Sequence, residues 1–475
     1  MQSSPSFLKV TDVSFDPKKD KLGSGSFGTV YRGIVMGLPV AVKVPNKQKL
    51  SYSERRDFLN EIGVLKKVFH PNIVLFMGAC TESTIMIVSE LMAADLDALL
   101  YRPQSLPESL RITLTPAIKL KLCSEMALGV NWLHSAIGLV HRDLKPENFM
   151  VDRYMTVKVT DFGFTVFPAD VRGSDWKGTP YYIAPEVADY NEVSFAGDVY
   201  ALSYIMWQTF TQKDLYPEYD DFDIFAEDIL QGGKRPEIDD SVPEKFVPTM
   251  IKMWDGDPDN RPTAKEVLDE LQKVSLDISL KSEKGIEFWK KHFFNAKTGG
   301  LELEVEKNDF FNEVAKEVQI TLKSEEKLHN IFESKKVLPE NFQKTIDLFG
   351  NYFQDKGLME DLNEICTKDY FAFDITREIA QSWLANRVDG FFIVRLSSKS
   401  PEAPFVISYN YKGECKHNRL TRISFDGEER YKTKSIVTGK FVTGKTVPEI
   451  VEKCVNEKMI SAVCPLEKAA QNAYS

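Results

Sequence analysis

Gly23-Ser24-Gly25-Ser26-Phe27-Gly28-Thr29-Val30 sets three glycines at G-x-G-x-x-G spacing. Lacking Cβ atoms, such a loop lets backbone N–H groups close on phosphate oxygens. Dinucleotide folds and plain turns share the pattern, so the context must decide. A dinucleotide fold would next bring an acidic residue to a ribose. Here the chain runs into an apolar strand, Val40-Ala41-Val42-Lys43. A lysine at the end of a strand is usually a surface residue. Glu61, on the helix that follows, can instead hold its ammonium in an ion pair and aim it at the α- and β-phosphates of a nucleotide. A second constellation is His141-Arg142-Asp143-Leu144-Lys145-Pro146-Glu147-Asn148, followed by Asp161-Phe162-Gly163 and Ala184-Pro185-Glu186. A third is Gly390-Phe391-Phe392-Ile393-Val394-Arg395-Leu396-Ser397-Ser398. An arginine inside an apolar strand is costly unless paired. Its rigid fork suits a doubly charged phosphate better than a lysine does.

These residues need elements to carry them. Lys21 to Val35 and Pro39 to Val44 read as strands, and Ser53 to Val68 places Phe58, Ile62 and Leu65 at helical spacing. Residues 115–137 and 196–212 read as buried helices, so a strand-rich part precedes a helix-rich part. The chain turns polar near 272–285. Residues 286–366 read as charged helices carrying Phe288, Trp289, Phe293, Phe294, Phe310 and Phe311. Residues 370–457 change character again: a helix at Thr376–Ala385, strands at Phe391–Leu396 and Phe405–Tyr411, and a helix at Val447–Val455. This last segment has 14 Lys and Arg against 11 Asp and Glu in a chain whose net charge is −10, a hint of an anion site.

The 475 residues, 43% hydrophobic and 27% charged, fit two to four globular domains and exclude wholesale disorder. A pI near 5.4 argues against nucleic-acid binding. No apolar run approaches a membrane span, and neither a signal peptide nor a lipidation motif is apparent, so a cytoplasmic location is expected. Six scattered cysteines without C-x-x-C pairs, six histidines without H-E-x-x-H spacing and the lack of a calcium loop predict reduced thiols and no zinc or calcium site.

The ordered set of glycine loop, Lys43, Glu61, HRD, DFG and APE makes residues 12–272 resemble a eukaryotic protein kinase domain. The resemblance implies the roles that follow. Leu22, Gly23, Ser24, Gly25, Ser26, Phe27, Gly28, Val30, Ala41 and Lys43 would surround ATP, with Glu90 and Met92 offering hinge backbone and Ser89 as gatekeeper. Asp143 would orient the acceptor hydroxyl and Lys145 would neutralise the γ-phosphoryl group. Asn148 and Asp161 would hold magnesium, with manganese as an alternative. Asp198 would brace the catalytic loop and Arg261 would pair with Glu186. His70 to Cys80, HPNIVLFMGAC, is similar to the tyrosine-kinase-like group. Lys145 and Thr179 are the Ser/Thr-type residues, which implies Ser/Thr transfer with Tyr as a secondary acceptor. Asp175, beside Ser174, stands where other kinases carry an activating phosphate opposite Arg142.

Residues 370–457 resemble a Src-homology-2 (SH2) domain, which implies phosphotyrosine binding by Arg395, Arg377, Ser397 and His417. Tyr370, where the family opens with Trp, and Asn418 depart from its pattern. The implied fold is α+β and multidomain: a tail (1–11), a bilobal kinase fold (12–272), a helical connector (273–366), an SH2 fold with a central antiparallel sheet between two helices (370–457), and a second tail (458–475). This order resembles the SH2-bearing dual-specificity kinases of amoebae. The expected partners are protein substrates and tyrosine-phosphorylated proteins, not nucleic acid, with peripheral recruitment to membranes through such partners. A catalytically dead adaptor and a phosphotyrosine-dependent transcription factor are the competing readings. The intact catalytic set opposes the first, and the lack of a basic DNA-reading segment opposes the second.

Overall fold

Alternation along Leu38–Pro45 buries Val40 and Val42 completely and turns Ala41 and Lys43 to the opposite face. That single strand therefore both packs a core and presents a lysine. The computed structural model describes residues 8–25, 28–46, 51–81, 85–168, 178–190, 192–295, 300–323, 328–332, 335–373, 375–397, 402–425 and 428–464.

Two units divide between Ser275 and Leu276. In the first, β1 (Val13–Ser14), β2 (Lys21–Ser24), β3 (Gly28–Val35), β4 (Leu38–Pro45), β5 (Phe76–Cys80) and β6 (Met86–Glu90) form one sheet ordered β1-β3-β4-β6-β5, with β2 paired to β3. Helix α1 (Tyr52–Leu65) buries Phe58, Ile62 and Leu65 in the main core, as its spacing predicts. A small sheet follows, of β7 (Ala94–Asp95), β8 (Phe149–Val151) and β9 (Val157–Val159). Around it lie α2 (Leu96–Tyr101), α3 (Pro116–Asn131), α4 (Pro185–Tyr190), α5 (Phe195–Thr211), α6 (Phe222–Phe225), α7 (Val247–Met253) and α8 (Ala264–Ser279). Thr115 and Ser194 cap α3 and α5 by accepting from Ile118 and Gly197 N–H groups. The residues after α3 do not continue as α-helix: Trp132–Ile137 widens to a π-turn that closes at Gly138.

The second unit contains α9 (Glu283–His292), α10 (Lys307–Val318), α11 (Pro339–Phe349) and α12 (Lys356–Ile365). A small hairpin, β10 (Phe294–Asn295) with β11 (Gly300–Leu301), and a two-stranded antiparallel pair that brackets α10, β12 (Val305–Glu306) with β13 (Lys336–Val337), interrupt them, where the sequence suggests only helices. A six-stranded sheet follows, ordered β18-β17-β16-β15-β14-β19: β14 (Phe391–Leu396), β15 (Phe405–Tyr411), β16 (Glu414–Phe425), β17 (Glu428–Lys434), β18 (Phe441–Gly444) and β19 (Ala462–Val463). Helix α13 (Arg377–Leu384) covers one face and α14 (Val447–Asn456) the other.

Two expectations need correction. Residues 276–366 are more than a connector: Phe349, Tyr352, Phe353, Leu358, Leu362 and Ile365 share one core with Phe405, Tyr431 and Ile450. The reason is apolar complementarity: the sheet residues Phe392, Phe405, Tyr409 and Tyr431 pack in one cluster with both α14 and the upstream aromatics. Residues 458–464 are not tail, because Met459 and Ile460 are buried and β19 pairs in parallel with Phe391 and Phe392. Among the described residues the cysteines form no disulfide, no helix is long and apolar enough to cross a membrane, and no three His, Cys, Asp or Glu side chains group to hold a metal.

The shared core contains one titratable liability. Asp361 on α12 is 7% exposed. Burial pushes its pKa up to about 7, although Tyr431 and Arg422 pull it part of the way back. The unfolded carboxyl titrates near 4, so between about pH 4 and 7 the native state binds the extra proton. Stability therefore falls as pH rises across that window, by up to about 4 kcal/mol, and levels off above it. Asp361→Asn keeps the neutral form and should flatten this component. Urea unfolding at pH 5 and pH 8 checks it: the variant should gain on the wild type at pH 8, and an equal difference at both pH values would contradict the assignment.

Candidate active site and phosphate pocket

The glycine loop is closed by its own backbone and by one side chain. Gly25 N–H donates to the Gly28 carbonyl at 2.9 Å, and Asn46 Nδ2 donates to the Gly25 carbonyl at 2.8 Å. Asn46 Oδ1 accepts from Thr29 at 2.8 Å. A Cβ at Gly28 would meet the Val44 carbonyl oxygen at 2.7 Å, so only glycine lets β3 lie this close to β4. Leu22, Gly23 and Ser24 lie on β2, Val30 on β3 and Ala41 on β4. Ser26 and Phe27 lie outside the described residues, as do Ser174, Asp175 and Ser398. At the end of β6, Glu90 N–H already donates to the Leu75 carbonyl, and the carboxylate holds Leu75 N–H and Lys158. A base at this hinge would therefore meet the Glu90 carbonyl, with Met92 two residues on.

Lys43 Nζ lies 2.9 Å from Glu61 Oε1 and 2.9 Å from Asp161 Oδ1. Burial pulls the ammonium down, but the two carboxylates outweigh it and hold the pKa above its usual value. Burial raises Glu61. For Asp161 burial pushes the carboxyl up, but the Lys43 ammonium outweighs it and holds the pKa below the usual range. One ammonium between two carboxylates leaves a single negative charge, which a divalent cation complements. Asn148 Nδ2 is spent on the Asp143 carbonyl at 2.7 Å and on Asp143 Oδ2 at 3.0 Å. Its amide oxygen is thus the donor left to offer beside Asp161, and hard oxygen donors suit magnesium or manganese.

Asp143 is 8% exposed. Its Oδ1 accepts from Thr179 at 2.8 Å, and Lys145 Nζ reaches Thr179 Oγ1 at 3.1 Å and Asp143 Oδ2 at 3.4 Å. The turns that carry Asp143 and Asp161 are each strained: Arg142, just before Asp143, has φ 70° and Asp161 itself φ 63°. The buried Asp198 carboxylate pins this turn by accepting from His141 N–H at 2.7 Å and Arg142 N–H at 2.9 Å. Gly178, at φ 132°, passes so close that a Cβ would meet the Arg142 carbonyl oxygen at 2.6 Å. Arg261 grips Glu186 through two nitrogens, at 2.7 and 2.8 Å.

In the second unit Arg395 is 8% exposed on β14. Its Nε donates to Ser408 Oγ at 3.3 Å and one terminal nitrogen to the Leu396 carbonyl at 3.0 Å. Ser408, on β15 and fully buried, also pairs with His417 Nδ1 at 2.9 Å. Burial, then Arg377 and Arg395, push the His417 pKa down to about 4, so the ring is neutral near pH 7 and the two guanidiniums carry the charge. Arg377 opens α13, and Ser397 is buried with its N–H on the Pro404 carbonyl. Arg395 and His417 thus meet through Ser408, and Arg377 acts on the same ring electrostatically. Ser408 and Asn46 were not legible beforehand, since a serine in a strand and an asparagine after one carry no spacing signal.

Two known families match this chain. The protein kinase domain family matches residues 17–271 and the SH2 domain family residues 370–451. The chain belongs to the protein kinase family and carries a C-terminal SH2 domain. Its relatives include three proteins of Dictyostelium discoideum. Dual specificity protein kinase shkE is 34% identical over 98% of this chain and 67% of its own length. Dual specificity protein kinase shkD is 36% identical over 94% of this chain and 61% of its own length, so the chain spans less than two thirds of that relative. Dual specificity protein kinase shkA is 31% identical over 88% and 85%.

Proposed function

We propose that this chain transfers the γ-phosphoryl group of ATP to Ser and Thr hydroxyls of proteins, with Tyr as a secondary acceptor. Its SH2 domain would bring it to tyrosine-phosphorylated partners. The observation that carries the reading is the simultaneous pairing of Lys43 with Glu61 and Asp161 alongside the Asp143–Thr179–Lys145 cluster. Lys43 orients the α- and β-phosphates. Asp143, its carboxylate fixed by Thr179 and Asn148, accepts the hydrogen bond of the incoming hydroxyl and aligns it with the γ-phosphorus. Lys145 offsets charge building on the transferred group. A magnesium or manganese ion held by Asn148 and Asp161 would neutralise the phosphates.

Transfer of radiolabel from ATP to a protein substrate by purified full chain tests the reading. An inert preparation would favour the adaptor alternative. Acceptor choice is tested on peptide arrays. Thr179 and Lys145 touch each other and Asp143, the Ser/Thr-type arrangement, so Ser and Thr peptides should be labelled more strongly than Tyr peptides. The dual-specificity names of the relatives support Tyr as a secondary acceptor, and a tyrosine-only profile would contradict this assignment. The cell-level expectation is a cytoplasmic protein drawn to membranes only where its phosphotyrosine partners sit.

A further inference from the structure

The second unit holds a cavity of about 590 Å3 between its upstream helices and its sheet, and none of Arg377, Arg395 and His417 lines it. That volume suits a small organic molecule. Four cations line it from four places in the chain: Lys323 after α10, Arg422 on β16, Arg430 on β17 and Lys445 just before α14. Lys323 and Lys445 are exposed, and the two arginines are half-buried. Three acids line it as well, all on α12, and their charge is largely met elsewhere. Glu360 and Glu364 face Lys356 and Lys368, each four residues away, at 4.0 and 3.9 Å. Burial keeps Asp361 protonated below about pH 7. Arg422 holds Asp355 at 2.6 Å. A guanidinium has five N–H donors and an ammonium three, which one carboxylate does not exhaust.

Inside, one buried group lacks a partner. Tyr431 lines the cavity and is 2% exposed, and among the described residues its hydroxyl completes no hydrogen bond of normal geometry. A buried hydroxyl in that state is costly unless something enters to accept from it. The walls are tied in place. Asn363 on α12 donates to the Thr321 carbonyl at 2.8 Å and accepts from Lys323 N–H at 2.7 Å. Lys445 N–H donates to Glu449 at 2.7 Å, beside the N-terminus of α14, whose dipole adds positive potential. We propose that this cavity binds a small molecule carrying two or more phosphate groups, met by Lys323, Arg422, Arg430 and Lys445 and by the Tyr431 hydroxyl. The space is too large for one phosphate ion to fill. A soluble inositol phosphate and the headgroup of a phosphoinositide lipid share the required chemistry. Because the walls come from both the upstream helices and the sheet, such a ligand would bind only the assembled unit and so stabilise it.

The test is calorimetric titration of the full chain in an Arg395→Lys background, which removes the phosphotyrosine pocket as a rival anion site. Soluble inositol trisphosphate is the probe, with inorganic phosphate and vesicles containing phosphatidylinositol bisphosphate as the other arms. The trisphosphate should bind saturably. Arg430→Gln/Lys445→Gln should weaken it about a hundredfold and Tyr431→Phe about fivefold, the scale of two charged hydrogen bonds and one neutral one. Inorganic phosphate should bind far more weakly. Hydrogen exchange on the wild-type chain reads the site without variants: the trisphosphate should protect residues 319–323, 357–364 and 430–446. Binding to the vesicles but not to the trisphosphate would keep the site and assign it the lipid headgroup. No binding of either, binding untouched by the variants, or protection confined to other residues would overturn the inference.

Discussion

Asp161→Asn is expected to cost about two to three orders of magnitude in phosphoryl transfer and almost nothing in stability. The loss follows from removing a charged oxygen donor where charge on the phosphates must be met. The stability argument is specific to this geometry. Glu61 and Asp161 compete for one ammonium, and Lys43 touches both at 2.9 Å. Removing the Asp161 charge leaves Lys43 and Glu61 as a balanced pair. Lys43→Met removes the shared cation instead and leaves two buried carboxylates facing each other. That variant should be inactive and also destabilised, by up to the roughly 3–5 kcal/mol of an orphaned buried charge, unless Glu61 takes up a proton. Radiolabel transfer and urea unfolding on both variants check the pair of outcomes. Substantial activity in Asp161→Asn would remove the catalytic assignment. Equal stabilities would show that the two carboxylates do not share the lysine.

Arg395→Lys should abolish capture on phosphotyrosine resin and spare phosphorylation of a short soluble peptide. Lysine keeps the charge but cannot form two parallel bonds to a phosphate. It would also leave the fully buried Ser408 hydroxyl without its guanidinium partner. With His417 neutral, its ring adds no compensating charge. Disrupting a buried charge contact of this kind typically costs about 2–5 kcal/mol, roughly 30- to several-thousand-fold in affinity. On the proposed mechanism peptide phosphorylation relies on Lys43, Asp143, Asn148 and Asp161, which all belong to the other unit. Retained resin binding would refute the Arg395 assignment. Lost peptide activity would mean that the second unit supports catalysis.

What could be read from the chain depended on whether chemistry was contiguous. The strings around Asp143, Asp161 and Arg395 carry their residues within a few positions, and the strands Phe391–Leu396 and Phe405–Tyr411 follow from their apolar composition. Contacts across the fold were not readable. Ser408 meets Arg395 from the neighbouring strand, and Gln208 sits in an apolar helix where nothing marks it as polar-paired. The aromatic stripe of residues 286–366 was visible, but period alone does not tell whether such a stripe buries itself or covers another surface. Here it does both, which is why a connector was expected where a shared core exists.

That shared core bears on how this architecture can be inherited. The segment that families recognise begins at Tyr370, yet the aromatic surface completing its sheet is encoded upstream, from Phe349 to Ile365. A gene rearrangement with its breakpoint at the recognised border would deliver a sheet stripped of its cover and leave an exposed aromatic layer behind. Only a junction placed near residue 276 moves the whole unit. Selection acting on duplicated or shuffled copies would therefore keep the helices and the sheet as neighbours on the chain, whatever drift their surfaces undergo.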